Sequence, residues 1–562
     1  MTSSRRGSAD ETEAVRYQLP RTTGTVWLGL RMSSLLTLAL ALAVTVLLVL
    51  AGGSVPAAVT LFLLAAVVAL VPIADRPALH WVGPVVGHHL HAGRHAWSTP
   101  DQLLPRETHR GQQSRVPLPP ECGRIVAATV ESGEDRKSLA GDNAVGGATA
   151  VLVHKARSRR DAADTGSELL PRGAQTVVLE VRAASGFGLL DGVNQDTTLA
   201  EWGSNLDALA ADTRVLRVQW LTHTRPAQMT SLGNEPQPHH AALEVLGHAD
   251  PEPNDACRFD LEQDYDALVA GVAAQAWAHT HLLAVTLRPD GSARPDRRGR
   301  GSTVGNQHAP ESGLLEQVRD ITGLLLFADL LARPLGRAEL GRTLRVLTEP
   351  DFAGDVVGDF VGDSVGDPDG RAGGDDGEGD GAWGVRCRRT EWTAVRTGDA
   401  WHRSYAVSNW PNLPLPADWL AGILASPPPD GTSRTLAVHA RPISPVHAVR
   451  QARAAAAKVQ LDAADRSRFG LTGAPGGATP LDDQRATDAA ALETELAAGY
   501  RMLHTRALIT ISATSPHRLQ QATSTLRATA ATHRLDLRPL HGQHHLGLVA
   551  TLPLTVVPGS RS

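Results

Sequence analysis

MSSLLTLALALAVTVLLVLAGGSVPAAVTLFLLAAVVALVPIA, residues 32–74, carries no charged side chain, and its reading decides how the rest of the chain is organised. Gly52, Gly53, Ser54 and Pro56 divide it into Met32–Leu50 and Val55–Ile73. Each piece has about the 20 apolar residues that cross a bilayer. Backbone polar groups find no water in lipid, so each piece is expected to be a transmembrane helix, with the Gly-Gly-Ser turn folding the pair into a hairpin. A cleaved signal peptide fits less well, because two apolar runs occur and a mostly polar segment precedes the first. A hairpin buried in a core is the other alternative.

Outward from this stretch, Arg16, Arg21 and Arg31 precede the hairpin, Arg76, Arg94, Arg106 and Arg110 follow it, and the turn has no basic residue. The positive-inside tendency then places both termini, and residues 75–562, in the cytoplasm of a two-pass plasma-membrane protein. Cys122, Cys257 and Cys387 are far apart and form no CxxC pair, which argues against disulfides or zinc and fits a reducing compartment. A net charge of −5 over 562 residues leaves no basic footprint for nucleic acid, and none is expected as a direct partner.

The expected fold class is α+β, with an N-terminal two-helix transmembrane hairpin and two cytoplasmic α+β domains joined by a disordered acidic linker. Residues 1–30 form a cytoplasmic tail, 31–74 the hairpin, 75–120 a connector, 121–349 the first domain, 350–381 the linker and 382–558 the second domain. Strands are expected at Arg124–Glu131, Ala148–His154, Gln175–Arg182, Arg214–Thr222 and Leu282–Leu287, where apolar, β-branched runs have strand length. Helices are expected at Leu199–Ala211, Asp264–His279, Leu314–Leu331 and Arg337–Val346. In the second domain, strands at Ser404–Asn409, Arg434–Ala440, Arg506–Ala513, Leu535–Pro539 and Gly547–Leu554 alternate with helices at Trp419–Leu424, Pro445–Lys458, Asp488–Gly499 and Pro516–His533. Such mixing suggests α+β layers. The linker repeats Gly-Asp every four residues from Gly354-Asp355 to Gly366-Asp367, too polar to bury a core. Calcium-binding Gly-Asp repeats have a nine-residue period, which this segment lacks.

Motifs for chemistry fail on spacing. Of the three lysines, only Lys137 is followed by serine, and Arg136 stands where a phosphate loop needs glycine. Gly186, Gly188 and Gly192 miss the dinucleotide spacing by one residue. Gly301–Gly305 has Thr303 in place of a nucleophilic serine. His88, His89, His91 and His95, and His541, His544 and His545, lack HExxH spacing and an accompanying carboxylate. The basic runs Lys155–Arg160 and Arg297–Arg300 lack interleaved aromatics and read as solvated loops. No catalytic residue, cofactor or metal site is expected. The candidate interface is the start of the second domain, where Trp383, Trp392 and Trp401 lie beside Arg386, Arg388, Arg389 and Arg396, a composition typical of interface hot spots. These tryptophans filling the domain core is the competing reading.

The order of parts is similar to actinobacterial membrane proteins of type IV secretion- and conjugation-like clusters. There a PrgI-like two-helix hairpin is fused to a domain resembling the N-terminal, ATPase-free part of type IV secretion ATPases. The resemblance is most specific at Ser404-Tyr405 through Trp410-Pro411, Arg434–Pro442, Arg468-Phe469-Gly470 and Glu493–Tyr500. It continues through Leu537-Arg538-Pro539-Leu540-His541-Gly542-Gln543 to Leu552-Pro553-Leu554. It implies a non-enzymatic inner-membrane scaffold that forms a homo-oligomer and works beside a separate secretion ATPase and other platform subunits in contact with the lipid bilayer. The type VII secretion component EccE, also a two-helix hairpin with a cytoplasmic domain, is the rival resemblance.

Overall fold

The structure, a computed structural model, describes residues 32–52, 54–70, 72–73, 76–77, 81, 84–86, 88–89, 124–130, 149–155, 170–171, 173–183, 192–226, 277–288, 309–349, 388–411, 419–424, 431–468 and 480–557. The uncharged stretch forms α1 (Met32–Leu50) and α2 (Val55–Leu70), paired through a turn at Gly52, whose φ of +84° suits glycine. Its assignment as a membrane-crossing hairpin is corrected. At 1.5 Å per residue the 16 residues of α2 rise ~24 Å, short of a hydrocarbon core ~30 Å thick. Among the described residues, no helix is long and apolar enough to cross a membrane, which conflicts with the two-pass plasma-membrane placement. The pair still exposes large apolar side chains, among them Leu47 (70%), Leu50 (82%) and Leu64 (63%). A two-residue ladder, β1 (Pro72–Ile73) with β2 (Arg76–Pro77), follows it.

The second correction to the fold class concerns the two separate α+β halves. Strands from both sides of the linker join in one 12-stranded sheet. In the first half, β3 (Arg124–Val130) and β4 (Thr149–Lys155) form a hairpin. After it come β5 (Gln175–Ala183), α3 (Gly192–Ala211), β6 (Val215–Pro226), β7 (Trp277–Leu287), α4 (Ala309–Phe327), β8 (Leu330–Pro334) and α5 (Arg337–Thr348). In the second half, β9 (Arg388–Thr390) and β10 (Val395–Thr397) form a hairpin. The same sequence of parts follows: β11 (Ala400–Asn409), α6 (Ala421–Leu424), β12 (Thr432–Pro442), β13 (Leu503–Ala513), α9 (Pro516–Thr532), β14 (Asp536–Pro539) and α10 (His544–Ala550). A helical pair, α7 (Pro445–Arg468) and α8 (Pro480–Ala497), is inserted between β12 and β13.

The sheet order is β3-β4-β5-β7-β6-β12-β13-β11-β10-β9, with β8 on β5 and β14 on β11. It is palindromic. Each half holds a split βαββαβ unit, ordered β8-β5-β7-β6 and β14-β11-β13-β12, with every pairing antiparallel. The units join through β6 and β12, antiparallel with Leu221 opposite Ala437, so the second half repeats the first about a pseudo-two-fold axis normal to the sheet. The joint has a simple cause: each unit leaves an edge strand with unpaired N–H and C=O groups, and each satisfies the other.

Local details repeat as well. Arg333-Pro334-Leu335 ends β8 as Arg538-Pro539-Leu540 ends β14. The Leu335 N–H donates to the Val178 carbonyl (2.9 Å) and the Leu540 N–H to the Ser404 carbonyl (3.0 Å), which are equivalent positions. Asp329 (φ +55°) and Arg534 (φ +54°) make matching left-handed turns before these strands.

On one face, α3 and α4 cover Val177, Leu179, Leu283 and Val285, while α6 and α9 cover Tyr405, Leu436, Ile509 and Ile511. The opposite face is covered by α5, α10 and residues 551–557. Leu340 and Leu344 share a core with Val549, Leu552, Leu554 and Val556. At the end of α5, the Thr348 carbonyl accepts from the Thr397 hydroxyl in β10 (3.4 Å).

Most expected elements are present, with three differences. Residues 277–279 belong to β7 and not to a helix; the rest of 264–279 lies outside the described residues. The helix expected to reach Leu331 ends at Phe327, and Leu330–Pro334 pairs with β5. The expected last strand, Gly547–Leu554, is instead α10 and a turn. All seven residues of α10 are buried, and a segment buried all round has no periodicity to separate helix from strand. Gly547 permits that burial, because a Cβ there would lie 2.3 Å from Cβ of Ser404. The Gly/Asp linker, 350–381, lies outside the described residues.

Candidate interaction site

Trp392 sits in the turn between β9 and β10, closed by the Glu391 N–H donating to the Ala394 carbonyl (2.9 Å). Facing it is the loop after β14. Gly542, at φ +71°, donates its N–H to the Trp392 carbonyl (2.8 Å), and its missing side chain leaves room for the Trp392 ring. The His541 ring stacks on Trp392 with centroids 6.2 Å apart and 5° between planes. Trp81, from the segment that follows α2, lies 5.9 Å from Trp392 and 5.9 Å from His541. His88 meets Trp392 edge-on at 5.5 Å, and His544 meets His541 edge-on at 5.8 Å. Burial lowers the His541 pKa against the opposing hydrogen bond of the Trp392 backbone, so the ring stacks as a neutral imidazole at pH 7. This junction ties the segment after the helical pair to the second half of the sheet.

A Cβ at Gly542 would lie 2.7 Å from the Trp392 ring, and its left-handed backbone is costly for any other residue. Gly542→Ala is expected to lose about 1–3 kcal/mol of stability through strain and displaced packing. The near-ultraviolet circular dichroism of the tryptophans should weaken with it. An unchanged denaturation midpoint and spectrum would contradict this junction.

The other candidate interface residues are not gathered at one surface. Trp401 lies in β11 and packs into the core under α9, with the Arg396 guanidinium 5.7 Å above its ring. Trp410 and Trp419 meet edge-on at 5.9 Å against the same core. Arg389 is exposed, with Glu391 at 3.6 Å, and Arg388 starts β9. Trp383 and Arg386 lie outside the described residues. Core filling therefore describes Trp401, while Trp392 belongs to the junction.

No protein-family model matches this chain, and no curated protein matches it.

The remaining polar groups of interest line the face of the sheet that carries α10 and residues 551–557. Gln219, fully buried in β6, donates through Nε2 to the carbonyls of Ala550 (3.1 Å) and Leu552 (2.8 Å), and its Oε1 accepts from the Thr555 N–H (2.8 Å). Arg217 donates to the Thr555 carbonyl (2.7 Å), and the Thr555 hydroxyl meets that of Thr286 (2.6 Å). His439 bonds the Ala550 carbonyl (2.8 Å). His402 bonds Thr397 and Ser512, and His544 accepts from the Ser404 N–H (3.1 Å). His223, the pseudo-symmetric counterpart of His439, bonds Thr435 (2.9 Å).

Desolvation pushes His223, His402, His439 and His544 down to about 3, so all are neutral at pH 7. Each bonds a hydroxyl or backbone group of a neighbouring segment and not a carboxylate, which suits cohesion and gives no acid–base pair. Among the described residues, no group of three His, Cys, Asp or Glu could hold a metal ion. Sequence reasoning missed Trp81, Gln219 and Thr555. The one legible signal was the repeated Arg-Pro-Leu, which marks equivalent strand ends.

Proposed function

We propose that this protein is a non-enzymatic scaffold subunit of a type IV secretion- or conjugation-like machine, and that it docks a separate ATPase. The observation that carries the scaffold reading is the exposed apolar surface of α1 and α2, held beside a continuous 12-stranded platform by the Trp81–Trp392–His541 junction. Apolar patches beyond a few hundred Å² mark interaction sites. The kind of machine rests on the sequence resemblance, above all the Leu537–Gln543 stretch, which forms β14 and one wall of the junction.

As the chain has no phosphate-loop lysine, the purified full chain is expected neither to bind nor to hydrolyse ATP. Saturable ATP binding at micromolar concentration in calorimetry would overturn the scaffold reading in favour of an enzyme.

A further inference from the structure

Between β12 and β13 the chain leaves the sheet as an arm. At 1.5 Å per residue, the 24 residues of α7 make ~36 Å of helix and the 18 of α8 ~27 Å. The arm is tied at its base, where the Ile443 N–H donates to the Met502 carbonyl (2.9 Å) and the Arg501 N–H to the Asp207 carboxylate of α3 (2.6 Å). Beyond the base, α7 and α8 pack mainly on each other. Two helices can bury only one stripe each, and Val446 (62%) and Leu461 (64%) stay exposed on α7.

Charge is divided unequally between the helices. Five basic and two acidic residues give α7 a net +3, while one basic and five acidic residues give α8 a net −4. Arg450 and Arg453 on α7, and Glu493 and Glu495 on α8, are exposed and have no opposite-charge partner among the described residues.

We propose that the arm pairs with the arm of a second copy of this chain as a two-fold, antiparallel four-helix bundle. In that arrangement α7 of each copy lies beside α8 of the other, and like helices sit on the diagonal. Opposite charges then meet at every neighbouring pair, and the exposed alanines and valines of α7 allow close approach. This pairing is independent of ATPase docking and uses none of the residues of the Trp392 junction.

The test uses the full chain with two variants, Arg450→Glu/Arg453→Glu and Glu493→Arg/Glu495→Arg, in sedimentation velocity. Each variant alone puts like charges together and is expected to weaken dimerisation at least ~10-fold, about 1.4 kcal/mol. Mixed in equal amounts, the two are expected to recover a dimer, since each reversed helix then faces its complement. Repair of contacts within one chain could not produce that recovery. Far-ultraviolet circular dichroism matching the parent chain shows that each variant folds. A parent chain that stays monomeric, single variants that dimerise as the parent does, or a mixture that stays monomeric would each overturn the proposal.

Discussion

Gln219→Leu is expected to lower stability by several kcal/mol, enough to leave much of the chain unfolded at 37 °C. The side chain is fully buried and serves three backbone groups of residues 550–555 together. Leucine restores volume and none of the bonds. Each buried N–H or C=O left without a partner costs about 1–3 kcal/mol, and domains have only about 5–15 kcal/mol in total. The damage should spread, because residues 551–557 carry Leu552, Leu554 and Val556 from the second half into the core of the first. Urea denaturation followed by tryptophan fluorescence measures this. A loss below 1 kcal/mol would mean that Gln219 does not fasten the C-terminal segment to the sheet.

The second large effect is acid unfolding. His223, His402, His439 and His544 are held near pKa 3, and His154 and His281 near 4, in each case chiefly by desolvation. Nearby guanidinium groups add to this: Arg225 for His223, Arg217 and Arg506 for His439, Arg403 for His544, Arg217 for His154. The unfolded histidines take up protons near 6.5, above the folded values, so below pH 6.5 the unfolded state binds more protons. The stabilisation is therefore complete above 6.5 and is lost as pH falls from 6.5 towards 3. Each histidine gives up roughly 1 kcal/mol per pH unit across that window. Six acting together should bring cooperative unfolding between about pH 4 and 5.5, given the same ~5–15 kcal/mol reserve. A melting temperature constant from pH 7 to pH 4 would show that these rings are not buried neutral in the folded protein.

Much of the fold could be read locally. Ser515-Pro516 marks the start of α9, with the Ser515 hydroxyl accepting from the Arg518 N–H, and the strands β5, β6, β12 and β13 follow from their β-branched apolar runs. Their assembly could not be read in this way. Nothing in Leu221 or Ala437 announces that their strands pair, since a central and an edge strand have the same local pattern. The polar Gly/Asp linker instead suggested two independent bodies. For α10 the cause was burial on all sides, which erases periodicity. For the tryptophans, a shared arginine-rich setting concealed separate destinations: Trp392 in a turn and Trp401 in a strand. The aromatic junction depends on Trp81 and His541, which are 460 positions apart and meet only through the fold.

The central claim, that the chain acts by docking and performs no chemistry, is tested most directly by affinity purification of the tagged full chain after crosslinking in its native cells. The expected result is recovery of a secretion ATPase, with the yield reduced when α1 and α2 are deleted. Recovery of no secretion-machine component from intact or deleted chain, or recovery of the chain only with lipid and in detergent, would contradict the account.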